Sequence, residues 1–155
     1  MAIIGSLMKT DMVTVEPGTT VADAARAMAQ NHIGAVLVVE GGALRGILSE
    51  RDVVASVVAK GKDPALTKVS EVATTDLVSV EESTHVRACA EALRSKGIRH
   101  LPVTKGGKPV GILSSRDFFA YVVEGLESLV DKARYEQALG EGQDPYDHLG
   151  GSYGK

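Results

Sequence analysis

The chain has 155 residues, 44% of them apolar and 24% charged, with a net charge of −3. That length holds one compact domain or two half-size units sharing a core and excludes a multidomain enzyme, while the balance excludes a disordered or collagen-like chain. No apolar run approaches the roughly 18 to 20 residues a bilayer crossing needs, and Met1 to Ile4 carries no basic segment ahead of a long apolar one, so a cytoplasmic protein with no membrane association is expected.

In chain order, Thr14-Val15 is a short β-prone run followed by turn residues, and Thr20 opens a helix. Thr20 and Asp23 have the spacing of a capping box, with Asp the weaker partner at that position. Val21, Ala24, Ala25 and Met28 follow at the i, i+3, i+4, i+7 spacing of one buried helical face. Ala35 to Val39 and Arg45 to Leu48 are two strand-like runs joined across Gly41-Gly42, which predicts a hairpin. A second helix starts near Glu50, and Lys60-Gly61-Lys62-Asp63-Pro64 ends it and begins a linker.

The pattern then recurs at an offset of 65. Val13–Val58 slides onto Val78–Val123 without a gap, with 20 identities in 46 positions, and self-similarity at a fixed spacing reveals architecture before any motif is invoked. Ser79-Val80 matches the first strand, and Thr84 or His85 opens the helix bearing Val86, Cys89, Ala90 and Leu93. Leu101-Pro102-Val103, Gly106-Gly107 and Val110 to Leu113 give the second hairpin, with Pro102 expected at a strand start or edge because it lacks an N–H. The expected fold is therefore α+β (or α/β): two β-α-β-β-α repeats around a pseudo-two-fold axis, at 6–60 and 70–124, joined by a linker at 61–69. A half of about 55 residues can barely cover its own sheet, which is why the halves should share one body.

The last helix outruns its counterpart. Phe119, Val122, Val123, Leu126, Leu129, Val130 and Ala133 continue an apolar stripe for two or three turns, which a second copy of the chain would cover as well as intramolecular packing would. Residues 125–155 thus read as a helix extension and, from Gly140, a mobile acidic tail. From Glu124 onward seven acids face three bases, a balance of −4, leaving the body near +1. That distribution is not the footprint of a nucleic-acid-binding protein.

The best-matched stretches are Gly46 to Asp52 and Gly111 to Asp117. Ser49 with Asp52, and Ser114 with Asp117, place a hydroxyl, a carboxylate and free N–H groups at a strand-to-helix turn. Such a set can receive a ribose diol and a phosphate, with Arg51 and Arg116 adjacent; equally, Ser and Asp there can simply cap a helix. Cys89 alone supports neither a disulfide nor a zinc site and reads as a small buried residue. His32, His85, His100 and His148 lack metal-ligand spacing. No nucleophile elbow or phosphate loop is present, so no catalysis is expected.

These residues resemble a tandem pair of cystathionine-β-synthase (CBS) domains, also called a Bateman module, over roughly Ser6 to Val123. The likeness rests on Leu7-Met8-Lys9-Thr10, on Ile98-Arg99-His100-Leu101-Pro102-Val103, and on Gly-hydrophobic-x-Ser-x-x-Asp in both copies. It implies two clefts for adenosine nucleotides and often a disc-like dimer. One cleft would join Ser49 and Asp52 to Val78, Ile98, Arg99 and His100. The other would join Ser114 and Asp117 to Thr10, Val13 and Ile33, with charge from Lys9, Thr10 or Arg116, and Ile47 and Ile112 would wall the base. The counterparts of Arg99 and His100 in the first copy are Gly34 and Ala35, so the Asp52 cleft is expected to take the more phosphorylated or tighter ligand. The implied function is a non-catalytic sensor needing no cofactor, with AMP, ADP, ATP or NAD(H) as regulatory ligand, a homodimeric state and an unknown regulated protein. The alternative is a ligand-free interaction module acting through its last helix.

Overall fold

A computed structural model describes residues 2–141; the remainder of the predicted tail, and His148 within it, lies outside the described residues. The chain forms two compact units, one ending at Asp117 and one beginning at Phe118.

The first unit holds both repeats. In the first, β1 (Thr14–Val15) lies parallel to β2 (Ala35–Glu40), which pairs antiparallel with β3 (Ala43–Ser49), and α1 (Val21–Gln30) lies between β1 and β2 in sequence. The second repeats this order with β4 (Val80–Glu81), α3 (Val86–Lys96), β5 (His100–Lys105) and β6 (Lys108–Ser114). Each hairpin turns on two glycines with φ of 57° and 79°, left-handed values that glycine adopts without a Cβ clash. Both sheets shift register at equivalent places, Val38/Val39 and Val103/Thr104.

The core is duplicated residue by residue. Ala24, Val36, Val38 and Leu48 are buried in one repeat, and Cys89, Leu101, Val103 and Leu113 at offset 65 in the other. Cys89 thus stands where Ala24 stands, as a packed small side chain, and burial pushes its thiol pKa up.

The segment ahead of each repeat packs on the other repeat. Ile4 and Gly5 donate backbone hydrogen bonds to Thr84 and Glu82 (2.8 and 3.0 Å), while Val69 donates to Thr19 (2.8 Å) and Val21 to Thr67 (2.9 Å). Ile4 and Val69, again 65 apart, are fully buried, and Val69 completes the core of Ala24, Met28, Val36 and Leu48. Lys9 exchanges two backbone bonds with Ile112 (2.9 and 3.0 Å), and Thr74 exchanges the same two with Ile47 (2.9 and 3.0 Å). This reciprocity is the pseudo-two-fold relation expected from the duplication.

Three local expectations change. Pro102 is neither a strand start nor on an edge strand, since it is the third residue of β5, the central strand of its sheet. It is tolerated because β4 begins only at Val80, whose partner is Val103; the N–H that Pro102 lacks corresponds to that of Leu37, which donates to Val13 in the first repeat (3.0 Å). Thr20 caps α1 by accepting the Asp23 N–H (3.1 Å), but Asp23 receives the Thr20 hydroxyl (2.7 Å) instead of closing a capping box. The helix after β3 is one α-turn, α2 (Glu50–Val53), running into a π-helical turn at Val54–Val58.

The second unit contains most of α4 (Ser115–Gly140), 26 residues long, as the extended apolar stripe predicts. Phe119, Leu126, Leu129, Val130 and Leu139 on it are exposed. Among the described residues no helix is long and apolar enough to cross a membrane.

Candidate functional site

Between the repeats lies one continuous cleft of about 680 Å³, lined by both Ser/Asp pairs. Local geometry explains how its walls are placed. Helices α1 and α3 both end in a left-handed residue, His32 (φ 53°) and Gly97 (φ 60°), again 65 apart. The next residue closes each helix, Ile33 donating to the Met28 carbonyl (3.0 Å) and Ile98 to the Leu93 carbonyl (3.2 Å). This C-cap delivers Ile33 and Ile98 to the cleft just ahead of β2 and β5, while Ile47 and Ile112 enter from β3 and β6.

Of the predicted site residues, Ser49, Asp52, Ile98, Arg99, His100, Val13, Ile33, Ile47, Ile112, Ser114, Arg116 and Asp117 line the cleft; Thr10 and Val78 do not. Lys9, expected there as a source of charge, borders it, and so does its repeat mate Thr74. Thr74 was missed, and its signal in the sequence was the offset itself, since 9 and 74 are repeat mates. Glu50 was also missed and lines the cleft. A side chain at Gly34 would meet His100 Nε2 at 3.3 Å and Glu50 Oε2 at 3.4 Å, which places the imidazole centrally, between elements of both repeats.

The two carboxylates differ. Asp52 closes a capping box: its Oδ2 accepts the Ser49 N–H (2.8 Å) and hydroxyl (2.7 Å), and Ser49 Oγ accepts the Asp52 N–H (3.3 Å). The cap uses only Oδ2, and Oδ1 has no protein partner among the described residues. Asp117 likewise accepts the Ser114 hydroxyl on Oδ2 and donates its N–H to Ser114 Oγ (3.1 Å). Its Oδ1, however, is paired with Lys9 Nζ at 2.8 Å. Burial works to raise the Asp117 pKa, but the bonds from Lys9 and Ser114 outweigh it and hold the group below the usual carboxylate value. The capping role and an open acceptor therefore coexist at Asp52 and not at Asp117.

His100 is depressed below the ordinary imidazole value, first by burial and then by the neighbouring Arg99 charge, against the opposing pull of Glu50 and Asp117. Both effects favour the uncharged ring; the lysine and arginines of the cleft are Lys9, Arg51, Arg99 and Arg116, set against Asp11, Glu50, Asp52 and Asp117. Among the described residues no three His, Cys, Asp or Glu side chains converge as metal ligands would.

A duplicated body with exchanged leading segments and a cleft between its halves defines a module built from two copies of one unit. The family model for the CBS domain matches residues 4–59 and 69–124, and the chain belongs to that family. The CBS domain-containing protein YhcV of Bacillus subtilis is 36% identical over 117 residues, covering 76% of this chain and 83% of the relative. A CBS-domain structure from Burkholderia ambifaria superposes with a TM-score of 0.75 at 32% identity, covering 79% of this chain and 95% of that one. A hexameric CBS-CP12 protein from bloom-forming cyanobacteria gives a TM-score of 0.71 at 25% identity over 93% of this chain and 87% of its own. Tandem CBS pairs of this kind are commonly regulatory or sensor modules.

Proposed function

We propose that the protein is a non-catalytic adenine-nucleotide sensor of the cytoplasm, binding AMP, ADP, ATP or NAD(H) between its repeats and signalling occupancy to a partner protein. The observation that carries this reading is the open Oδ1 of Asp52 in a cleft of about 680 Å³, within the roughly 300–1,000 Å³ usual for small-molecule sites. A ribose diol donates to such a carboxylate, the isoleucines at 33, 47, 98 and 112 offer apolar faces for a base, and the arginines at 51, 99 and 116 supply charge for phosphate. Because both repeats line the cleft, a ligand bound in it biases their relative arrangement by its difference in affinity for the two arrangements.

A thermal-shift screen of AMP, ADP, ATP, NAD(H) and adenosine tests the reading. At about 100 times its dissociation constant a true ligand adds about 2.7 kcal/mol, or roughly 5 to 10 °C for a chain of this size. An unchanged melting temperature across the panel would leave the interaction-module reading in its place.

That second reading, and the proposed homodimer, have their own observation in α4. Phe119, Val122, Leu126, Leu129 and Ala133 follow the 3-4 spacing of a helix–helix seam, and Leu129 is 65% exposed. Light scattering should give twice the 16.2 kDa chain mass. Leu126→Asp with Leu129→Asp should give a folded monomer, because neither side chain is buried within the chain. A wild-type monomer would remove the dimer from the proposal, and a hexamer would replace it.

A further inference from the structure

We infer that Lys9 makes the two ends of the cleft chemically different, so that the Asp117 end accepts phosphorylated nucleosides and rejects neutral ones while the Asp52 end accepts both. The inference rests on the adenosine reading and deepens it. Its basis is a comparison the molecule makes with itself. The backbones of Lys9 and Thr74 are clamped identically, each exchanging two hydrogen bonds with the isoleucine of the other repeat's last strand. Both residues line the cleft, and the Ser/Asp pairs beside them are the same. What differs is the side chain on the clamp: at one end a threonine leaves Asp52 Oδ1 open, and at the other an ammonium sits 2.8 Å from Asp117 Oδ1.

A ribose diol that takes Oδ1 of Asp117 competes with that ammonium for it. A neutral nucleoside offers the displaced Lys9 nothing, so it exchanges a charged contact for an uncharged one and leaves a cation unpaired. A nucleoside carrying a phosphate supplies the replacement anion. Lys9 Nζ can move to it without disturbing the clamp, because its side chain is 63% exposed and its backbone is held independently on Ile112. The residue thus acts first as a counter-ion that closes the empty site and then as a phosphate ligand.

The test isolates the Asp117 end with Asp52→Asn and titrates AMP and adenosine calorimetrically. Circular dichroism on each variant checks that the fold is kept. In that background AMP should bind up to about fivefold more tightly than adenosine, the upper end of the scale for one exposed ion pair made or lost. Adding Lys9→Met should strengthen adenosine and weaken AMP until the two bind equally tightly, and Lys9→Arg should restore the preference. If both ligands bind and Lys9→Met leaves their ratio unchanged, this inference is overturned and the sensor reading stands. If the unmodified protein binds neither, the sensor reading falls and the inference with it.

Discussion

Replacing Gly111 by alanine is expected to lower stability by roughly 1 to 3 kcal/mol, the usual cost of forcing extra volume into a packed contact. A Cβ built there lies 2.6 Å from Met8 Sδ and 2.9 Å from the Lys9 carbonyl oxygen. The methionine can turn away. The carbonyl cannot, because it accepts the Ile112 N–H at 3.0 Å. The leading segment must therefore lift off β6, and with it goes the support for Ile4 in the core. Gly46→Ala meets the Thr74 carbonyl at 3.0 Å and should act the same way, more mildly. Gly125→Ala should have the opposite sign: nothing lies within 4 Å of that Cβ, and alanine in a helix interior gains about 0.5 to 1 kcal/mol over glycine. Denaturant midpoints of the three variants check the order. A Gly111→Ala protein as stable as wild type would show that the leading segment contributes little to the body.

That glycine marks the line between what could be read from the chain and what could not. The offset of 65 gave the element order, both Gly-Gly hairpins and the buried faces of α1 and α3, because each depends on local periodicity. It also drew attention to Ser49–Asp52 and Ser114–Asp117, whose local contacts are the ones their spacing suggests. The exchange of leading segments was not legible. It consists of backbone hydrogen bonds between residues far apart in sequence, and backbone pairing leaves little trace in side-chain pattern. Its one trace was the glycine at 46 and 111, which the motif contained without revealing what came close to it. Of the bordering residues, Lys9 was named as a source of charge, whereas Thr10 and Val78 were carried over by resemblance and the crossing segment brings Thr74 to the cleft. His32, set aside as a metal ligand, is exposed, holds the left-handed position that glycine fills at 97, and lines the cleft. The π-turn at Val54–Val58 had no precursor in the sequence, since its repeat mate at 119–123 remains α-helical.

Asp52→Ala and Asp117→Ala should have unequal effects on nucleotide affinity, and the inequality follows from which carboxylate oxygen is already engaged. At Asp52 the substitution removes an open charged acceptor. Hydrogen bonds to charged groups contribute about 1.5 to 3 kcal/mol, so binding at that end should weaken by roughly 10- to 150-fold. The same change breaks the Ser49–Asp52 capping box, at about 0.5 to 2 kcal/mol of stability. At Asp117 the acceptor is lost too, but its removal also frees Lys9, which then faces an incoming phosphate without first having to leave a partner. The two consequences oppose each other, and AMP affinity at that end should fall by less than about tenfold. Asp117 also makes stability depend on pH. Because the folded-state pKa of Asp117 is depressed, its contribution to stability is complete above the ordinary carboxylate value and is lost as pH falls through the depressed one. Calorimetric titration of AMP into both variants at neutral pH measures the comparison. Equal losses would mean that Lys9 does not distinguish the two ends, and a larger loss at Asp117 would mean that the ion pair organises the site for ligand instead of competing with it.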